Sequence, residues 1–286
     1  MERLPISGTP FPFGLSFVPP EALSTIVGPP GPPAHTLTVA CAELGASFAF
    51  VPADAWWCED AVSALSETVV APLLSISGPL WPVIEARGTA EGLRASLTQP
   101  EQVGFELDRR LDGLTTEVAR AARLGMRGVV LAEDLAGSEG PLVAPDFAIA
   151  ELVPRYERVV RAARSLNMPA IFHSDGDVRP LLTAIARAGF VAIHGGGGLE
   201  FPAFERLFWA AREEGLAVMG GLLTTGLINP AAAEALGSKV GILAKAGGLF
   251  VADDGGITTP AEVASLVVAL GAARDASGAA THKAAE

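Results

Sequence analysis

Residues 170–178 read Ala-Ile-Phe-His-Ser-Asp-Gly-Asp-Val, and this stretch decides both the fold class and the place of a site. A proline precedes the apolar run, a glycine stands at the bend, and an amphipathic pattern continues over residues 178–188. This order predicts a buried strand, a turn and a helix. The turn carries three ionisable side chains, His173, Asp175 and Asp177. Because ligands of α/β proteins bind at the carboxyl ends of the strands, the turn is a candidate site.

The same pattern, a short apolar run followed by a helical stretch, occurs eight times along the chain. The predicted strands are Phe13–Val18, Phe48–Pro52, Ala71–Ile76, Gly128–Ala132, Ala170–His173, Phe190–His194, Ala217–Gly221 and Gly248–Ala252. The predicted helices include Ala34–Leu44, Pro100–Leu124, Pro145–Leu166, Val178–Ala188, Phe204–Glu214, Ala231–Ala246 and Pro260–Ala273. Alternating strands and helices predict a parallel α/β sheet, and eight such units close most simply into a (β/α)8 TIM barrel. An open doubly wound sheet is the alternative, but no Gly-x-Gly-x-x-Gly follows the first strand.

The chain of 286 residues has no polar linker in its middle, which predicts a single barrel domain over residues 1–275. A Pro-rich amino-terminal lead-in, with Gly28-Pro-Pro-Gly-Pro-Pro33, is expected to be a rigid loop. The tail over residues 276–286 is expected to be disordered. Half of the residues are apolar, yet Gly, Pro or charge interrupts each apolar stretch before it reaches the length of a membrane span.

Charge and cysteine content limit the classes of partner. The formal net charge is −12, and no Lys/Arg cluster offsets it, so neither nucleic acid nor an anionic membrane surface is an expected partner. The start of the chain lacks a secretory pattern, and two cysteines make no disulfide framework. We therefore expect a cytoplasmic protein that acts on a small-molecule substrate.

Polar and aromatic residues stand directly after most of the predicted strands, where a barrel would gather them at one mouth. We predict that His173, Asp54, Glu133 and Asp175 are catalytic, and that His194, Glu200, Trp57, Trp81 and Asp134 contact the substrate. A single aspartate in such a loop is more often a helix cap or a solvated charge. The prediction therefore rests on the set as a whole.

A divalent metal such as zinc is a further possibility for this mouth. His173 and Asp175 stand two residues apart on one turn, a spacing that allows both to ligate one ion. The third ligand stays open among His194, Glu133 and Asp253.

Two other sequence features have open interpretations. The run Gly195–Gly198 is able to surround a phosphate with backbone N–H groups, but no Lys-Ser/Thr comes after it, and Glu200 brings a negative charge to the same place. Trp56 and Trp57 form a pair that is costly to expose. Either a flat apolar ligand or a second subunit would cover them, and a homodimer is expected because barrel enzymes of this type often dimerise.

Four motifs carry a family resemblance. They are Glu133–Pro145 with the subsequent Val153-Pro-Arg-Tyr156, His173-Ser-Asp-Gly176, Gly78-Pro-Leu-Trp81 and Thr258-Thr-Pro260. They resemble the uroporphyrinogen decarboxylase superfamily, and most closely its corrinoid- and cobalamin-dependent methyltransferase-like members. The resemblance covers roughly residues 13–273, and it implies a TIM barrel.

The resemblance to the decarboxylases themselves is partial. Asp54 matches the carboxylate that holds the pyrrole N–H groups, and His173 matches the His at a strand end. The Arg-rich amino-terminal loop that binds substrate carboxylates has no counterpart, since no Arg or Lys occurs between Arg3 and Arg87. The family's catalytic-region tyrosine is also missing, because Tyr156 is the only tyrosine. A site without those cations does not neutralise eight carboxylates, so uroporphyrinogen decarboxylation is not expected.

The methyltransferase branch resembles the chain better, with one important departure. Its zinc-dependent members carry His-x-Cys at this turn and a distant Cys, whereas here Asp175 takes the place of the first Cys and the later part of the chain has no Cys. The resemblance therefore implies a demethylating first step, in which His173 or a carboxylate protonates the leaving group of a methyl ether or methylamine. The methyl group passes to a corrinoid on a partner protein. The alternatives are another lyase or hydrolase on the same scaffold and a non-catalytic binding barrel.

Overall fold

The computed structural model describes residues 11–29 and 31–279, and within them eight parallel strands close into a barrel. The strands are β1 (Phe13–Leu15), β2 (Phe48–Pro52), β3 (Ala71–Ser77), β4 (Gly128–Ala132), β5 (Ala170–Ser174), β6 (Ala192–Gly195), β7 (Ala217–Leu222) and β8 (Leu249–Asp253). Each strand pairs with its neighbours in chain order, and β8 pairs with β1 to close the ring. The predicted TIM barrel is confirmed.

Helices surround the barrel. The longer α-helices are Pro33–Leu44, Cys58–Ser66, Leu80–Ala86, Thr89–Thr98, Pro100–Leu124, Val153–Ser165, Leu182–Arg187, Phe201–Glu213, Pro230–Ala244 and Pro260–Ser277. Shorter pieces are Pro20–Leu23, Ser24–Val27, Pro145–Phe147, Ala148–Leu152, Arg179–Leu181 and Thr224–Gly226, and Ala136–Gly137 pairs with Gly140–Pro141 in a small hairpin. A membrane-spanning length of apolar helix is not found in the part of the chain that the structure describes.

Local sequence signals set several helix ends. The helices that start at residues 33, 100, 230 and 260 begin with proline, which lacks the N–H that the first turn would leave unpaired. Asn229 accepts a hydrogen bond from the Ala232 N–H at 2.9 Å and so caps its helix. Thr259 and Glu262 form a capping box at the start of the last helix. These caps fix where the chain leaves the mouth and enters the outer helical layer.

The barrel interior has its own core, and the site lies directly above it. This inner core consists of Phe48, Phe50, Leu73, Val130, Ile171, Ala192, Met219 and Ala252. Along β5, Ile171 faces inward, whereas Phe172 packs outside, with its ring 5.6 Å from that of Tyr156. Since side chains alternate along a strand, His173 points inward again. His194 is its register partner on β6, so two imidazoles stand side by side at the carboxyl ends.

Some predicted boundaries differ from the observed ones. The first strand ends at Leu15, three residues before the predicted Val18, because the Ser16 N–H donates to the Asp253 side chain at 2.7 Å and not to a backbone carbonyl of a neighbouring strand. The helix predicted over residues 178–188 is a 3-10 turn followed by the short α-helix Leu182–Arg187. The helices over residues 80–86 and 89–98 were not predicted.

The two ends of the chain are described only in part. The last helix continues to Ser277, four residues beyond its predicted end and two residues into the predicted tail. The remainder of that tail, residues 280–286, lies outside the described residues, as do residues 1–10 and residue 30 of the Pro-rich lead-in.

Candidate active site

Two buried imidazoles form the centre of the mouth. The Nδ1 atoms of His173 and His194 are 2.8 Å apart, and the two residues are 7 % and 1 % exposed. Burial lowers the pKa of His173. Burial also lowers the pKa of His194, and the neighbouring His173 lowers it further. Both imidazoles are therefore neutral near pH 7.

Aromatic rings pack against this pair. The ring centroids of Phe17 and His173 are 4.8 Å apart, and those of Phe50 and His194 are 4.9 Å apart. Phe50 belongs to the inner barrel core and Phe17 packs against that core, so aromatic carbon covers part of each imidazole. A reaction at this level would proceed in a region of low polarity, where charges interact strongly.

His194 also contacts two groups from strands that do not pair with β6, one just after β1 and one at the end of β8. Its Nε2 atom is 2.7 Å from the Ser16 hydroxyl and 3.0 Å from the backbone carbonyl oxygen of Asp253. The Asp253 carboxyl accepts from the N–H groups of Ser16 and Gly255, and burial raises the pKa of this carboxyl to about 6. Asp253 thus fastens β1 to β8 beneath the mouth.

Sequence reasoning missed Ser16. Its position directly after the first strand was a usable signal, because the other site residues also stand at or just beyond strand ends. The strand prediction that ran to Val18 placed Ser16 inside the strand and so hid it.

On its outer side, His173 faces two carboxyl groups. Its Nε2 atom is 3.6 Å from Oδ1 of Asp134, and the Asp175 N–H donates to that same oxygen at 3.0 Å. One ligand atom from each of His173, Asp134 and Asp175 lies within 4.8 Å of the other two. The structure therefore brings together His173 and Asp175, which were predicted as metal ligands, and adds Asp134, which was predicted only as a substrate contact.

The Asp175 carboxyl is the unusual member of this cluster. Burial, followed by the negative charges of Asp134 and Asp254, raises its pKa to about 7. Its Oδ1 atom is buried and has no hydrogen-bond partner among the described residues. A buried acceptor without a donor is costly, so this oxygen favours binding a proton or a cation.

The glycine run after β6 is explained by close packing against this carboxyl. The Gly176 N–H donates to the Gly197 carbonyl at 3.0 Å, which joins the two loops. A Cβ atom on Gly197 would lie 2.2 Å from Oδ1 of Asp175, so only glycine leaves the carboxyl room. The run therefore has a local steric reason that does not involve a phosphate.

Glu133 lies away from the cluster although it neighbours Asp134 in sequence. It is fully buried, and its two carboxylate oxygens accept from the N–H groups of Leu80 and Trp81 at 3.0 and 3.2 Å. The Tyr156 hydroxyl donates to it at 3.3 Å, and burial raises its pKa to about 7. Its carboxylate thus satisfies the first turn of the helix Leu80–Ala86. This placement favours a structural part for Glu133, and its catalytic part stays a prediction.

The remaining predicted site residues lie around the rim. Asp54 and Glu200 are exposed, and Asp54 forms no hydrogen bond or ion pair with any residue that the structure describes. Trp57 is half-buried against the outer core. The Trp81 indole N–H donates to the Asp134 carbonyl at 2.6 Å and so supports the loop that carries that aspartate. Substrate contacts by these residues stay predictions.

In chemical terms, the mouth offers a neutral imidazole, a carboxyl group whose pKa is close to neutrality and a second, half-exposed carboxylate. Such a set is able to transfer a proton to or from a bound molecule. The same one nitrogen and two oxygen donors also suit a divalent cation such as zinc or manganese.

Comparisons with known proteins show the fold. No protein-family model and no curated protein sequence matches the chain. Among solved structures it is similar to a methyltransferase from Methanosarcina mazei, with a TM-score of 0.64 and 19 % identity over 90 % of each chain. It is also similar to a D-psicose 3-epimerase, with a TM-score of 0.53 and 11 % identity over 94 % of this chain and 97 % of the other. At these identities the likeness extends to the barrel and not to the reaction.

Proposed function

We propose that this protein is a methyltransferase, which removes a methyl group from a small methylated donor bound in the mouth and delivers it to a corrinoid on a partner protein. The observation that carries the proposal is the placement of His173, Asp134 and Asp175 together at the carboxyl ends of β4 and β5. The structural likeness to a methyltransferase is consistent with it. The four motifs that resemble the methyltransferase-like members of the decarboxylase superfamily also support it.

The residues of this chain would act on the leaving group. When the bond between the methyl carbon and oxygen or nitrogen breaks, its electron pair goes to the heteroatom, which then needs a proton. Asp175, with a pKa raised to about 7, holds such a proton at neutral pH, and the nearby His173 returns one from solvent after the product leaves. The methyl carbon forms its new bond to the acceptor, which supplies the electron pair.

A corrinoid on a docked partner would supply the nucleophile for the methyl group. The Asp134 side chain, which is 48 % exposed at the rim, would be the part of the cluster nearest to such a partner. Trp56, which is 81 % exposed in the loop after β2, would be covered by this partner or by the second subunit of the predicted homodimer.

A divalent metal is the second way to assist the leaving group. Asp134, His173 and Asp175 would hold it, and their mixed oxygen and nitrogen donors fit ions such as zinc. When bound there it would supply Lewis acidity in place of the Asp175 proton. The unpartnered Oδ1 atom of Asp175 is the structural feature that fits such an ion.

The test is anaerobic mixing of the protein with a reduced corrinoid and a panel of methyl ethers and methylamines, with the visible spectrum of the corrinoid as the readout. We expect conversion to the methylated corrinoid that depends on the protein, and we expect D175N to slow it by about 100-fold. D146N changes an exposed aspartate outside the site and is the matched control. Failure of every donor to give a protein-dependent spectral change would remove the proposal.

The donor set also favours a second candidate, a metal-assisted lyase or hydrolase on the same barrel. Hard oxygen ligands with one imidazole are common at metal ions that polarise carbonyl groups or activate water. Turnover of a non-methylated substrate that is lost after chelation, with no effect of corrinoid, would favour this candidate over methyl transfer.

A further inference from the structure

The hydrogen bonds of His194 determine which of its two ring nitrogens carries the hydrogen. Its Nε2 atom is 3.0 Å from the backbone carbonyl oxygen of Asp253, and a carbonyl oxygen only accepts. The contact is therefore attractive only if Nε2 carries the hydrogen. The Ser16 hydroxyl fits the same arrangement. Its oxygen lies 2.7 Å from Nε2 and accepts the Nε2 hydrogen, while its own hydrogen is donated to the Asp253 carbonyl at 3.4 Å.

The other ring nitrogen of His194, Nδ1, must then be unprotonated. His194 is 1 % exposed, stands against the rings of Phe17 and Phe50, and forms no ion pair with any described residue. A charged imidazolium in this place would be uncompensated, so the ring is neutral and carries a single hydrogen. Its Nδ1 atom is an acceptor, and the hydrogen in the 2.8 Å contact between the two rings belongs to Nδ1 of His173.

This assignment decides what His173 presents to the mouth. With its hydrogen on Nδ1, neutral His173 has a lone pair on Nε2, which faces Oδ1 of Asp134 at 3.6 Å. His173 is itself more than nine-tenths buried, and its Nε2 atom accepts no hydrogen bond from a described residue. The buried Oδ1 atom of Asp175 is unpartnered as well. The Asp134 oxygen accepts from the Asp175 N–H, but His173 Nε2 and Asp175 Oδ1 have no such donor, and a divalent cation bound between the three groups would satisfy both atoms and offset the carboxylate charge.

We infer that the Asp253 carbonyl, Ser16 and His194 form a buried hydrogen-bond chain that holds His173 in its Nδ1-protonated tautomer, so that Nε2 binds a divalent cation together with Asp134 and Asp175. His194 and Ser16 are positioning residues in this arrangement. Metal-bound imidazoles commonly donate their second N–H to a fixed acceptor, and a second imidazole serves that purpose here. The inference rests on the cluster that underlies the proposed function, but it does not require that the reaction is methyl transfer.

The competing arrangement is a charged His173 that is paired with Asp134. It would place a second hydrogen on Nε2 and leave no lone pair for a cation. The two arrangements differ in the protonation of one atom, which is measurable.

The first measurement is a long-range ¹H–¹⁵N spectrum of the metal-free full chain with ¹⁵N-labelled histidine, at neutral pH. We expect His173 to show a protonated Nδ1 and a bare Nε2, and His194 to show the opposite pattern. The single variants H173Q and H194Q assign the two sets of signals. A protonated Nε2 on His173 would overturn the inference.

The second measurement is titration of the metal-free chain with Co²⁺, monitored by its d–d absorption and by calorimetry. We expect about one equivalent to bind to the wild type, and we expect H173Q and D175N to abolish binding. H194F and S16A should retain the ligands but bind 10- to 100-fold more weakly, as expected when a group behind a ligand is removed. D146N should bind like the wild type, and unfolding curves confirm that each variant is folded.

Each result has a defined meaning. Wild-type affinity in both H194F and S16A would overturn the positioning part, and no Co²⁺ binding by the wild type would overturn the cation site. Because neither measurement uses a methyl donor, the inference and the proposed function fail separately. Methyl transfer without metal binding removes only the former, and metal binding without methyl transfer removes only the latter.

Discussion

Glu133 and Asp175 stand just beyond neighbouring strands, β4 and β5, and burial raises the pKa of both carboxyl groups to about 7. Their surroundings are nevertheless different. Glu133 is fully buried, and the N–H groups of Leu80 and Trp81 bind its two oxygens. Asp175 is half-buried, and one of its oxygens has no partner among the described residues.

The difference shows that a raised pKa does not by itself identify a functional carboxyl group. For Glu133 the desolvation is offset by hydrogen bonds from the first turn of a helix, so the group holds the rim together. For Asp175 the Gly197 backbone offsets the desolvation and the charges of Asp134 and Asp254 only in part, so the group favours a proton or a cation. Hydrogen-bond satisfaction, and not the pKa, separates the structural region of the rim from the candidate site.

The largest expected effect is that of E133A on stability. Removal of this side chain leaves the Leu80 and Trp81 N–H groups and the Tyr156 hydroxyl without their acceptor and opens a cavity, so we expect a loss of about 4 kcal/mol in urea unfolding. D175A should change the free energy of unfolding by less than about 1 kcal/mol or raise it, because it removes an unpartnered acceptor. Equal losses in the two variants would contradict the distinction between the two groups.

The pH dependence of stability tests the same distinction at the level of protons. The Glu133 carboxyl has a pKa of about 7 in the folded chain against an ordinary value of 4.5, so between these pH values the folded state binds more protons than the unfolded state. Stability should therefore fall as pH rises across this window, by about 3 kcal/mol for this group. We expect E133Q to be destabilised but to lose this part of the dependence.

D175N is the matched variant for the pH experiment. The pKa of Asp175 is also raised, but the group is half-buried, so solvent screens its charge. Its contribution to the pH dependence of the free energy of unfolding should therefore be smaller than that of Glu133. Urea unfolding of the three proteins at several pH values between 4.5 and 7 gives the comparison. If D175N reduced the pH dependence of the free energy of unfolding more than E133Q did, our assignment of the two groups would be reversed.

The sequence predicted the architecture well because barrel strands carry strong local signals. The strand bounds Phe48–Pro52 and Gly128–Ala132 and the helix Pro100–Leu124 agree with the structure to the residue, since Gly, Pro and charge mark their ends. His173, Asp134 and Asp175 were predicted as site residues because each stands at or just beyond the end of a strand. Their closeness is a consequence of the parallel register of β4 and β5, which a barrel imposes.

The sequence did not predict which rim carboxyl groups are available to a ligand. Glu133 and Asp134 are adjacent in sequence, yet the first points to the outer layer, where the Leu80 and Trp81 N–H groups bind it, and the second points into the mouth toward His173. That division depends on the helix over residues 80–86, which was not predicted. Hydrogen bonds between loops of different βα units have no signature within either loop.

Two glycines give the smallest and most closely matched test. A Cβ atom on Gly78 would lie 2.2 Å from Oε2 of Glu133 and 2.8 Å from its Cβ, and a Cβ atom on Gly197 would lie 2.2 Å from Oδ1 of Asp175. Neither glycine has a positive φ, so alanine adds only a methyl group at each position.

We expect G78A to destabilise the protein by about 2 kcal/mol, because the Glu133 side chain is held at its base and at both oxygens and has nowhere to move. G197A should cost less than about 1 kcal/mol, because the half-buried Asp175 carboxyl is able to rotate toward solvent, but it should weaken Co²⁺ binding by displacing a ligand oxygen. Urea unfolding and Co²⁺ titration of both variants give the comparison. If G197A were the more destabilising variant and still bound Co²⁺ normally, Asp175 would be the rigid structural carboxyl and Glu133 the adaptable one.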